Sequence, residues 1–469
     1  MAAPILTPQS EDFPRWYQDV VQKAELADNG PVRGTMVIRP WAYGIWERIQ
    51  RELDDRIKAT GTENAYFPLL IPESYLHKEA EHVEGFSPEL AVVTIGGGKE
   101  LEEPAVIRPT SETIINVFFA KWINSYRDLP FKVNNWSNIV RWELRPRLFL
   151  RTTEFLWQEG HTAHETAEEA RAFALTILTD AYEAVMRDVM AIPVFTGLKT
   201  DQERFAGAIR TWTCEGVMRD RKALQMGTSH ELGTNFSEAF GTKFLDREGQ
   251  QQPPWQTSWG ATTRLVGALI MVHGDDRGLR LPPAIAPTQV VVIVVKEGEG
   301  VADHARRVFD ELEARGVRVH LDDRADVSFG RRAVDWELKG VPLRVELGPR
   351  DSANAQAVLV SRAHGEKTTH PLAEIVERAM AGLDAEQQTL RDEAQKLRDE
   401  SVTDVASVDE AAEAGRDGLA RLPWAALGTD GEAKLAESGI TVRCLRMPDG
   451  SHDFDPSDDG VEAIVARAY

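Results

Sequence analysis

Apolar residues recur at helical spacing near the N-terminus and predict a long helix there. The helix expected at residues 41–60 carries an apolar side chain at every fourth position, at Ile45, Ile49, Leu53 and Ile57. A strand follows at 65–71, and Pro72 ends it. A shorter apolar face predicts an earlier helix within 9–29. The face of the longer helix is typical of a core element or of a subunit interface, and both interpretations stay open.

Two apolar runs, at 138–142 and 155–157, flank a loop that is rich in arginine. Such runs predict two strands joined by that loop. The arginines of this stretch are Arg141, Arg145, Arg147 and Arg151. A guanidinium group is planar, always charged and matched to phosphate oxygens, so the hairpin predicts a polyphosphate site. The aromatic and acidic residues of the return strand suit a flat base or a cationic ligand.

The remaining pattern up to about residue 284 predicts a largely antiparallel sheet with helices on one side. Helices are expected at 114–122 and 165–190, and Arg264 begins an apolar helix after a glycine-bearing turn. The three glycines at 96–98 lack the spacing of a phosphate loop and predict a plain turn. Thr110 stands just before a helix, so capping that helix is an alternative to a role in binding.

Pro282, Pro283 and Pro287 mark a boundary, beyond which strands and helices alternate. This alternation predicts a small α/β unit with mostly parallel strands. The whole chain is therefore expected to be an α+β core on an antiparallel sheet followed by smaller α/β parts. The expected divisions are a core at 1–284, an α/β domain at 285–382 that ends in a helix at 371–382, a linking helix at 383–402 and a C-terminal α/β module at 403–469.

Composition and charge narrow the class of protein. A length of 469 residues corresponds to about three domains. The sequence shows no apolar run that could cross a membrane and no secretory signal, and its two cysteines, Cys214 and Cys444, are typical of a reducing, cytoplasmic setting. The net charge of −21 argues against a nucleic-acid partner. Residues 374–417 alone hold 13 acidic and 5 basic side chains, however, so basic surfaces elsewhere stay open.

The charged residues of the core suit the attack of a carboxylate on an α-phosphate, a reaction that depends on positioning and charge stabilisation. Arg141, Arg151 and Arg264 are cations for a triphosphate. Gln225 together with glutamates offers oxygen ligands for magnesium.

The core also contains side chains that could bind a small cationic ligand and a flat base. Thr110 and Glu112 suit the cation, and Phe155 with Arg264 suits a base between an aromatic ring and a guanidinium. The pair formed by His161 and His164 lacks a third ligand in the sequence pattern, so we do not expect a metal there.

Six stretches of the chain together resemble the prolyl-tRNA synthetases, which are class II aminoacyl-tRNA synthetases. They are RPTSE at 108–112, RWE at 141–143, FLWQEGHTAHE at 155–165, MGTSHELG at 226–233, SWGATTRLVG at 258–267 and WELKGVPLRVELGPRD at 336–351. The resemblance runs from about residue 9 to the end. It implies activation of L-proline with ATP and Mg²⁺, transfer to tRNA(Pro), and a cytoplasmic homodimer whose interface includes 41–60 and 65–71.

The resemblance also implies roles for single residues, with Arg141 and Arg264 as the catalytic pair. Proline contacts are implied for Thr110, Glu112, Arg141, Trp157, Glu159, His161, Phe205 and His230. ATP contacts are implied for Arg141, Glu143, Arg151, Thr152, Phe155, Gln225, Thr228, Thr262 and Arg264, with Mg²⁺ held through ATP near Gln225.

Anticodon reading is expected from the domain at 285–382. The charged candidates for base contacts are Glu337, Lys339, Arg344 and Arg350. For each of them, an ion pair within the domain is an equal alternative.

The C-terminal module resembles that of the eukaryote/archaeal-like branch of the family, which commonly holds a four-cysteine zinc site. Here Cys444 and His452 cannot supply four ligands, so we expect no structural zinc. The acidic loop at 449–459 is expected in its place. The resemblance also implies that Tyr469 folds back towards the active site.

Two other functions are weighed against this one. A catalytically silent relative that binds tRNA or regulates should have lost Arg141, Arg264 or Glu112, and none of them is lost. An enzyme that adenylates an amino acid for another acceptor should lack the domain at 285–382, which is present. Proline activation followed by tRNA charging is therefore the leading hypothesis.

The same branch lacks a domain-sized editing insert, and no such insert lies between the stretches at 155–165 and 258–267. An apolar pocket cannot strongly reject smaller side chains, so we predict that alanine and cysteine are weakly activated and are not cleared by this chain. Purified protein incubated with alanyl-tRNA(Pro) should release no alanine above the spontaneous rate. Robust hydrolysis would contradict the prediction.

Overall fold

The computed structural model describes residues 6–75 and 90–469. In chain order the strands are β1 (Ala27–Asn29), β2 (Met36–Ile38), β3 (Glu63–Asn64), β4 (Leu70–Pro72), β5 (Ala91–Gly96), β6 (Lys99–Ile107), β7 (Phe131–Val140), β8 (Glu154–His164), β9 (Phe195–Leu198), β10 (Arg210–Val217), β11 (Ala223–Gly233), β12 (Phe244–Leu245), β13 (Gln251–Gln252), β14 (Trp255–Thr262), β15 (Val290–Val294), β16 (Val319–Asp322), β17 (Leu343–Leu347), β18 (Gln356–Ser361), β19 (Lys367–Pro371), β20 (Val402–Asp404), β21 (Leu419–Pro423), β22 (Thr441–Arg446) and β23 (Glu462–Ala466).

The same residues also form α-helices, and in the second domain helices cover both faces of the sheet. The α-helices are α1 (Phe13–Lys23), α2 (Pro40–Ala59), α3 (Glu112–Trp122), α4 (Ala167–Thr176), α5 (Asn235–Phe240), α6 (Arg264–His273), α7 (Val301–Ala314), α8 (Phe329–Leu338), α9 (Pro349–Ala353), α10 (Ile375–Glu400), α11 (Val408–Asp417) and α12 (Trp424–Ala436).

A large sheet forms the core of the chain. Its strand order is β20-β21-β23-β22-β9-β10-β11-β14-β8-β7-β3, and β7, β8, β14, β11 and β10 pair antiparallel throughout. Strands of this kind expose alternate side chains on each face, so one face can pack on helices while the other carries polar residues. The α+β core on an antiparallel sheet is confirmed.

The apolar face predicted for the helix at 41–60 is buried. In α2 the side chains of Ile45, Ile49, Leu53 and Ile57 are each no more than 1% exposed. The following strand is shorter than predicted, because only β4 pairs in that region after the brief β3. The predicted helix at 165–190 begins as α4 and continues in wider π-type turns over 177–183 and 185–189.

The second domain is an α/β unit of five strands in the order β16-β15-β17-β18-β19. Every residue of β15 is buried, as expected for a strand covered on both faces. The sequence predicted mostly parallel strands, but only β15 pairs parallel with its two neighbours, and β17-β18 and β18-β19 are antiparallel. The prediction missed β19, which makes the last two strands a hairpin.

One continuous helix, α10, leaves this domain. The prediction of two helices, at 371–382 and 383–402, was wrong: residues 367–371 form β19 and the helix runs unbroken across the expected boundary. The leucines at Leu383 and Leu390 are buried, which explains why the helix does not break there. No helix of the described residues combines the length and the apolar character needed to cross a membrane.

The C-terminal module extends the large sheet rather than forming one of its own. Its strand β22 joins β9 through a single pairing, Leu445 with Leu198. The approach is close because Gly197 has no side chain: a Cβ atom there would lie 2.2 Å from the carbonyl oxygen of Leu445. The module and the core therefore share one hydrogen-bonded layer.

Burial of histidine makes the fold sensitive to acid. Desolvation lowers the pKa of His273 to about 3 and that of His164 to about 4, below the usual value of about 6.5. The unfolded chain therefore binds protons that the folded chain excludes. Stability is independent of these groups above the unfolded pKa and falls as the pH decreases from there towards the folded values.

We predict that His273→Gln flattens this acid dependence. The histidine lies 2.9 Å from the carbonyl oxygen of Met190 through Nε2, and a glutamine amide can donate to the same oxygen. The substitution removes one group that binds a proton in the unfolded chain but not in the folded chain. The slope of the free energy of unfolding against pH should therefore fall by about 1.4 kcal/mol per pH unit between about pH 6 and pH 4. Urea unfolding at several pH values measures it, with His364→Gln on an exposed loop as control. An unchanged slope in His273→Gln would refute the account.

Candidate active site

A cavity of about 580 Å³ lies on the polar face of the large sheet, beneath the arginine-rich loop. The predicted site residues that line it are Thr110, Glu112, Arg141, Glu143, Arg151, Thr152, Phe155, Trp157, Glu159, Phe205, Gln225, Thr228, His230, Thr262 and Arg264. Only His161 of the predicted catalytic-domain set is not part of the wall. The fold thus brings together side chains from segments about 150 residues apart.

The sheet register explains this convergence. Glu159 lies opposite Gly260, and Gly260 lies opposite Thr228, so these three form one row across β8, β14 and β11. The next row places His161 opposite Ser258 and Ser258 opposite His230. Because side chains two residues apart share a face, both rows point to the cavity side.

One end of the cavity is acidic and buried. Glu112 and Glu159 are no more than 5% exposed, and one ligand atom from each lies within 4.8 Å of the others and of a His161 ring nitrogen. Thr110 donates a hydrogen bond to Glu112, and Asn135 donates to Glu159 at 3.2 Å. His161 lies 3.3 Å from Glu159 and follows it on the same face of β8, so it borders this end of the cavity. Such a cluster can hold a small ammonium group or a metal ion.

Beside the acidic end lies a ring stack of Phe205 and His230, with ring centroids 4.6 Å apart. The hydroxyl of Thr211 lies 2.9 Å from Nδ1 of His230 and fixes the orientation of that ring. Burial lowers the pKa of His230 to about 3, and the nearby His161 acts in the same direction. His230 is therefore a neutral ring at neutral pH, suited to an apolar ligand edge.

Arg141 reaches into the middle of the cavity. Its Nε donates to the carbonyl oxygen of Pro109 at 2.9 Å, and its guanidinium lies 5.5 Å from the Trp157 ring centre and 5.9 Å from that of Phe155. The side chain is open to the cavity, yet the surrounding protein desolvates it and lowers its pKa, against the attraction of Glu112 and Glu159.

Arg264, the first residue of α6, approaches from the other side. Its Nε donates to the carbonyl oxygen of Leu150 at 3.1 Å, and Nη1 donates to that of Gln225 at 3.2 Å. Among the described residues Nη2 has no hydrogen-bond partner. Desolvation lowers the pKa of Arg264 to about 10, so the group stays charged near neutral pH.

Not every arginine of the arginine-rich loop faces the cavity. Arg151 faces the cavity and pairs with Glu143 at 3.5 Å. Arg145 and Arg147 do not line the cavity, and the Arg147 guanidinium lies 5.9 Å from the ring centre of Tyr469. Tyr469 thus reaches the outer side of the loop, and its hydroxyl donates to Asp220 at 2.6 Å.

The sequence missed several wall residues, among them Ser258, Thr211 and Glu203. Ser258 lies between His161 and His230, and its hydroxyl has no hydrogen-bond partner among the described residues. Thr211 orients His230, and Glu203 lines the cavity from the loop after β9. Ser258 could have been found, because strand alternation places it on the same face as Gly260. Glu203 carried no signal, since nothing in a loop sequence shows which side chains turn inward.

The four anticodon candidates lie near the junction with the core or on the adjoining strand and helix. Glu337 pairs with Arg277 of the core at 2.9 Å, Lys339 with Glu25 at 3.4 Å, and Arg344 with Glu346 at 2.8 Å. Arg350 is exposed, and no described residue pairs with its side chain.

Of the two possible zinc ligands of the C-terminal module, one is a buried thiol and the other is a hydrogen-bonded imidazole. Cys444 is fully buried, and burial raises the pKa of its thiol to about 12. Nε2 of His452 lies 2.8 Å from the hydroxyl of Thr196. The acidic loop at 449–459, which contains His452, docks on the core, because Trp212 donates to the carbonyl oxygen of His452 at 3.0 Å.

Comparison with known proteins matches both parts of this architecture. The model of the tRNA synthetase class II core domain (G, H, P, S and T) matches residues 94–273, and that of the anticodon binding domain matches residues 289–380. A proline–tRNA ligase 2 of Streptomyces avermitilis is 61% identical over 100% of this chain and 99% of its own. The chain belongs to the prolyl-tRNA synthetases.

Two further relatives agree with that assignment. A proline–tRNA ligase of Frankia casuarinae is 59% identical over 99% of this chain and 100% of its own. The crystal structure of prolyl-tRNA synthetase from Cryptosporidium parvum, complexed with halofuginone and AMPPNP, is 38% identical. It covers 100% of this chain and 98% of its own with a TM-score of 0.92. The prolyl-tRNA synthetase fold is therefore shared along the whole chain.

We predict that Arg264→Lys weakens nucleotide binding about ten- to hundredfold, because one ammonium cannot keep the two carbonyl bonds and also meet a phosphate. Calorimetric titration with AMPPNP measures the change. Arg145→Lys is the matched control, since it makes the same replacement in the arginine-rich loop outside the cavity. Equal affinities for all three proteins would refute the role of Arg264.

Proposed function

We propose that this chain activates L-proline with ATP and then charges tRNA(Pro). In the first step a carboxylate oxygen of proline attacks the α-phosphorus of ATP, prolyl-adenylate forms, and pyrophosphate leaves. In the second step the terminal ribose hydroxyl of tRNA(Pro) attacks the prolyl carbonyl and AMP leaves. The observation that carries the proposal is one cavity that joins a buried acidic end to two carbonyl-held arginines, in a chain of this family.

The acidic end suits the proline ammonium. Glu112 and Glu159 offer negative charge at a place where water is largely excluded, so a secondary ammonium is the favoured occupant. Thr110, Arg141, Trp157 and His161 complete that end in the proposal. Phe205 and the neutral His230 would pack on the pyrrolidine ring, which is apolar.

The arginine side suits ATP. Arg141 and Arg264 would stabilise charge at the α-phosphate as the catalytic pair, with Arg151 and Phe155 on the triphosphate and the base. The remaining proposed ATP contacts are Glu143, Thr152, Gln225, Thr228 and Thr262. Glu143 and Gln225 line the same wall and carry oxygen atoms of the kind that magnesium prefers, so the residues present fit a Mg²⁺ ion carried by ATP. Such an ion would supply charge neutralisation on the phosphates.

We also propose that the chain has the architecture of the branch without an editing insert. Between β8 and α6 the described residues form strands of the large sheet, helices, the small hairpin of β12 and β13 and the connections between them, with no domain-sized unit among them. Two of the relatives named above are bacterial and one is protozoan. The proposal therefore concerns the architecture of the chain and not its ancestry. The C-terminal module is proposed to fold without zinc.

For tRNA, we propose that the domain at 285–382 reads the anticodon. Arg350 is exposed and free to contact a base or a phosphate. Glu337, Lys339 and Arg344 would have to exchange their present ion-pair partners when tRNA binds.

A homodimer and a cytoplasmic location complete the proposal. Exposed apolar side chains near β4, such as Tyr66 and Leu70, suit a partner subunit, and light scattering that gives the mass of one chain would contradict a dimer. Two buried free cysteines suit a reducing compartment. Recovery of the protein in an extracellular fraction would contradict that location.

We predict that the purified chain catalyses proline-dependent exchange of pyrophosphate into ATP and charges tRNA(Pro). Glu112→Gln should lower kcat/KM for proline about tenfold or more, because it removes one charge from the ammonium site. Arg350→Ala should reduce tRNA charging and leave exchange unchanged. Pyrophosphate exchange that does not require proline would contradict the proposed function. Binding of tRNA without any exchange would favour a catalytically silent relative.

We predict less than one zinc per ten chains in metal analysis of purified protein, because the buried Cys444 thiol and the bonded His452 cannot form a four-ligand site. Chelator treatment should leave the unfolding temperature unchanged. One tightly held zinc ion per chain would overturn the prediction.

A further inference from the structure

The segment 199–209 connects β9 to β10 and carries Phe205 to the proline end of the cavity. Its far end is fixed to the sheet: the amide of Ile209 donates to the carbonyl oxygen of Glu231 at 2.8 Å. The amide of Phe205 donates to the hydroxyl of Thr211 at 3.2 Å, the same hydroxyl that contacts His230. The position of Phe205 therefore depends on how this segment is held.

The near end of the segment is held at Lys199 by the core, because its amide donates to the carbonyl oxygen of Thr211 at 2.7 Å, and at Thr200 by the C-terminal module. The hydroxyl of Thr200 donates to a carboxylate oxygen of Glu432 on α12 at 2.6 Å. Both residues are at least 96% buried, at 4% and 3% exposed. The amide of Glu203 donates in turn to the carbonyl oxygen of Thr200 at 3.1 Å, so this contact is continuous with the cavity wall.

A buried ionic cluster strengthens the same junction. Lys199 donates to Glu215 at 2.9 Å and to the carbonyl oxygen of Arg443 at 2.7 Å. Arg443 in β22 pairs with the other oxygen of Glu215 at 2.9 Å. All three side chains are buried, so their bonds fix the relative positions of β9, β10 and β22 closely.

We propose that the C-terminal module is a clamp on the segment 199–209, and that Glu432 and Thr200 are positioning residues for proline binding. Neither side chain lines the cavity, so their effect passes through the placement of Phe205. The inference rests on the proposed function, because it assigns proline to the Phe205 end.

The geometry distinguishes proline from ATP. Arg141 and Arg264 are held by carbonyl oxygens of Pro109, Leu150 and Gln225, none of which belongs to the clamp. Loss of the clamp lowers the fraction of molecules with Phe205 in place, and apparent affinity for proline falls by that fraction. Affinity for ATP has no such dependence.

Paired variants test the clamp in proline-dependent pyrophosphate exchange. Thr200→Val keeps the shape of the side chain and removes its hydroxyl, and Glu432→Met removes the acceptor. Each should raise KM for proline about three- to tenfold, the effect of one buried hydrogen bond, with KM for ATP within about twofold. Thr200→Ser keeps the hydroxyl donor and Glu432→Gln keeps an oxygen acceptor. Both variants should therefore retain the wild-type KM values for proline and ATP.

A matched control lies two residues away on α12. Lys434 forms an exposed pair with Asp409 at 2.8 Å, so Lys434→Met makes a similar replacement on the same helix without touching the clamp. It should leave both KM values unchanged. Amide hydrogen exchange over 199–209 should accelerate in Thr200→Val and Glu432→Met, which reports the loosened segment without relying on activity.

Three results would overturn the clamp. They are an unchanged KM for proline in Thr200→Val and Glu432→Met, a parallel rise of both KM values with a lower unfolding temperature, or the same effect from Lys434→Met. Wild-type protein without proline-dependent exchange would instead refute the proposed function. Exchange in wild type with unaffected variants would refute only the clamp.

Discussion

The site depends on two arginines whose charge the protein does not neutralise. Arg141 and Arg264 donate to backbone carbonyl oxygens, and neither forms an ion pair with a carboxylate among the described residues. A carbonyl contact orients a guanidinium and satisfies part of its hydrogen-bonding capacity, but leaves its net charge for an anion. The cost of holding two such cations close together is offset when a polyphosphate binds, so charge itself selects the ligand.

The sheet makes that arrangement precise. Cross-strand pairing places Glu159, Gly260 and Thr228 in one row, with a gap at the glycine into which a ligand can settle. Preorganised donors and charges of this kind require no rearrangement at the moment of reaction. Because every row draws on several strands, a register shift in one of them would displace both halves of the site.

The sequence predicted the features that local chemistry determines. It did not predict the features that packing between distant segments determines. Periodicity predicted α2 and its buried face, charge selected Glu112, Arg141 and Arg264 as candidates, and the family resemblance supplied the role of Glu159. The continuous α10 was missed because the packing of Leu383 and Leu390, not local preference, carries the helix through the expected break. The inward turn of Glu203 and the sharing of one sheet by the core and the C-terminal module were also beyond reach, since both depend on contacts between distant segments.

The single pairing of Leu445 with Leu198 has a consequence for the order of assembly. The hydrogen bond between Thr200 and Glu432 joins residues 232 positions apart. During synthesis the core strands leave the ribosome long before β22 and α12 exist, and domains fold largely as they emerge. A nascent chain can therefore build the arginine-lined side of the cavity early, while the segment that carries Phe205 gains its contact with Glu432 only near the end of translation. Amino-acid binding would then mature later than nucleotide binding.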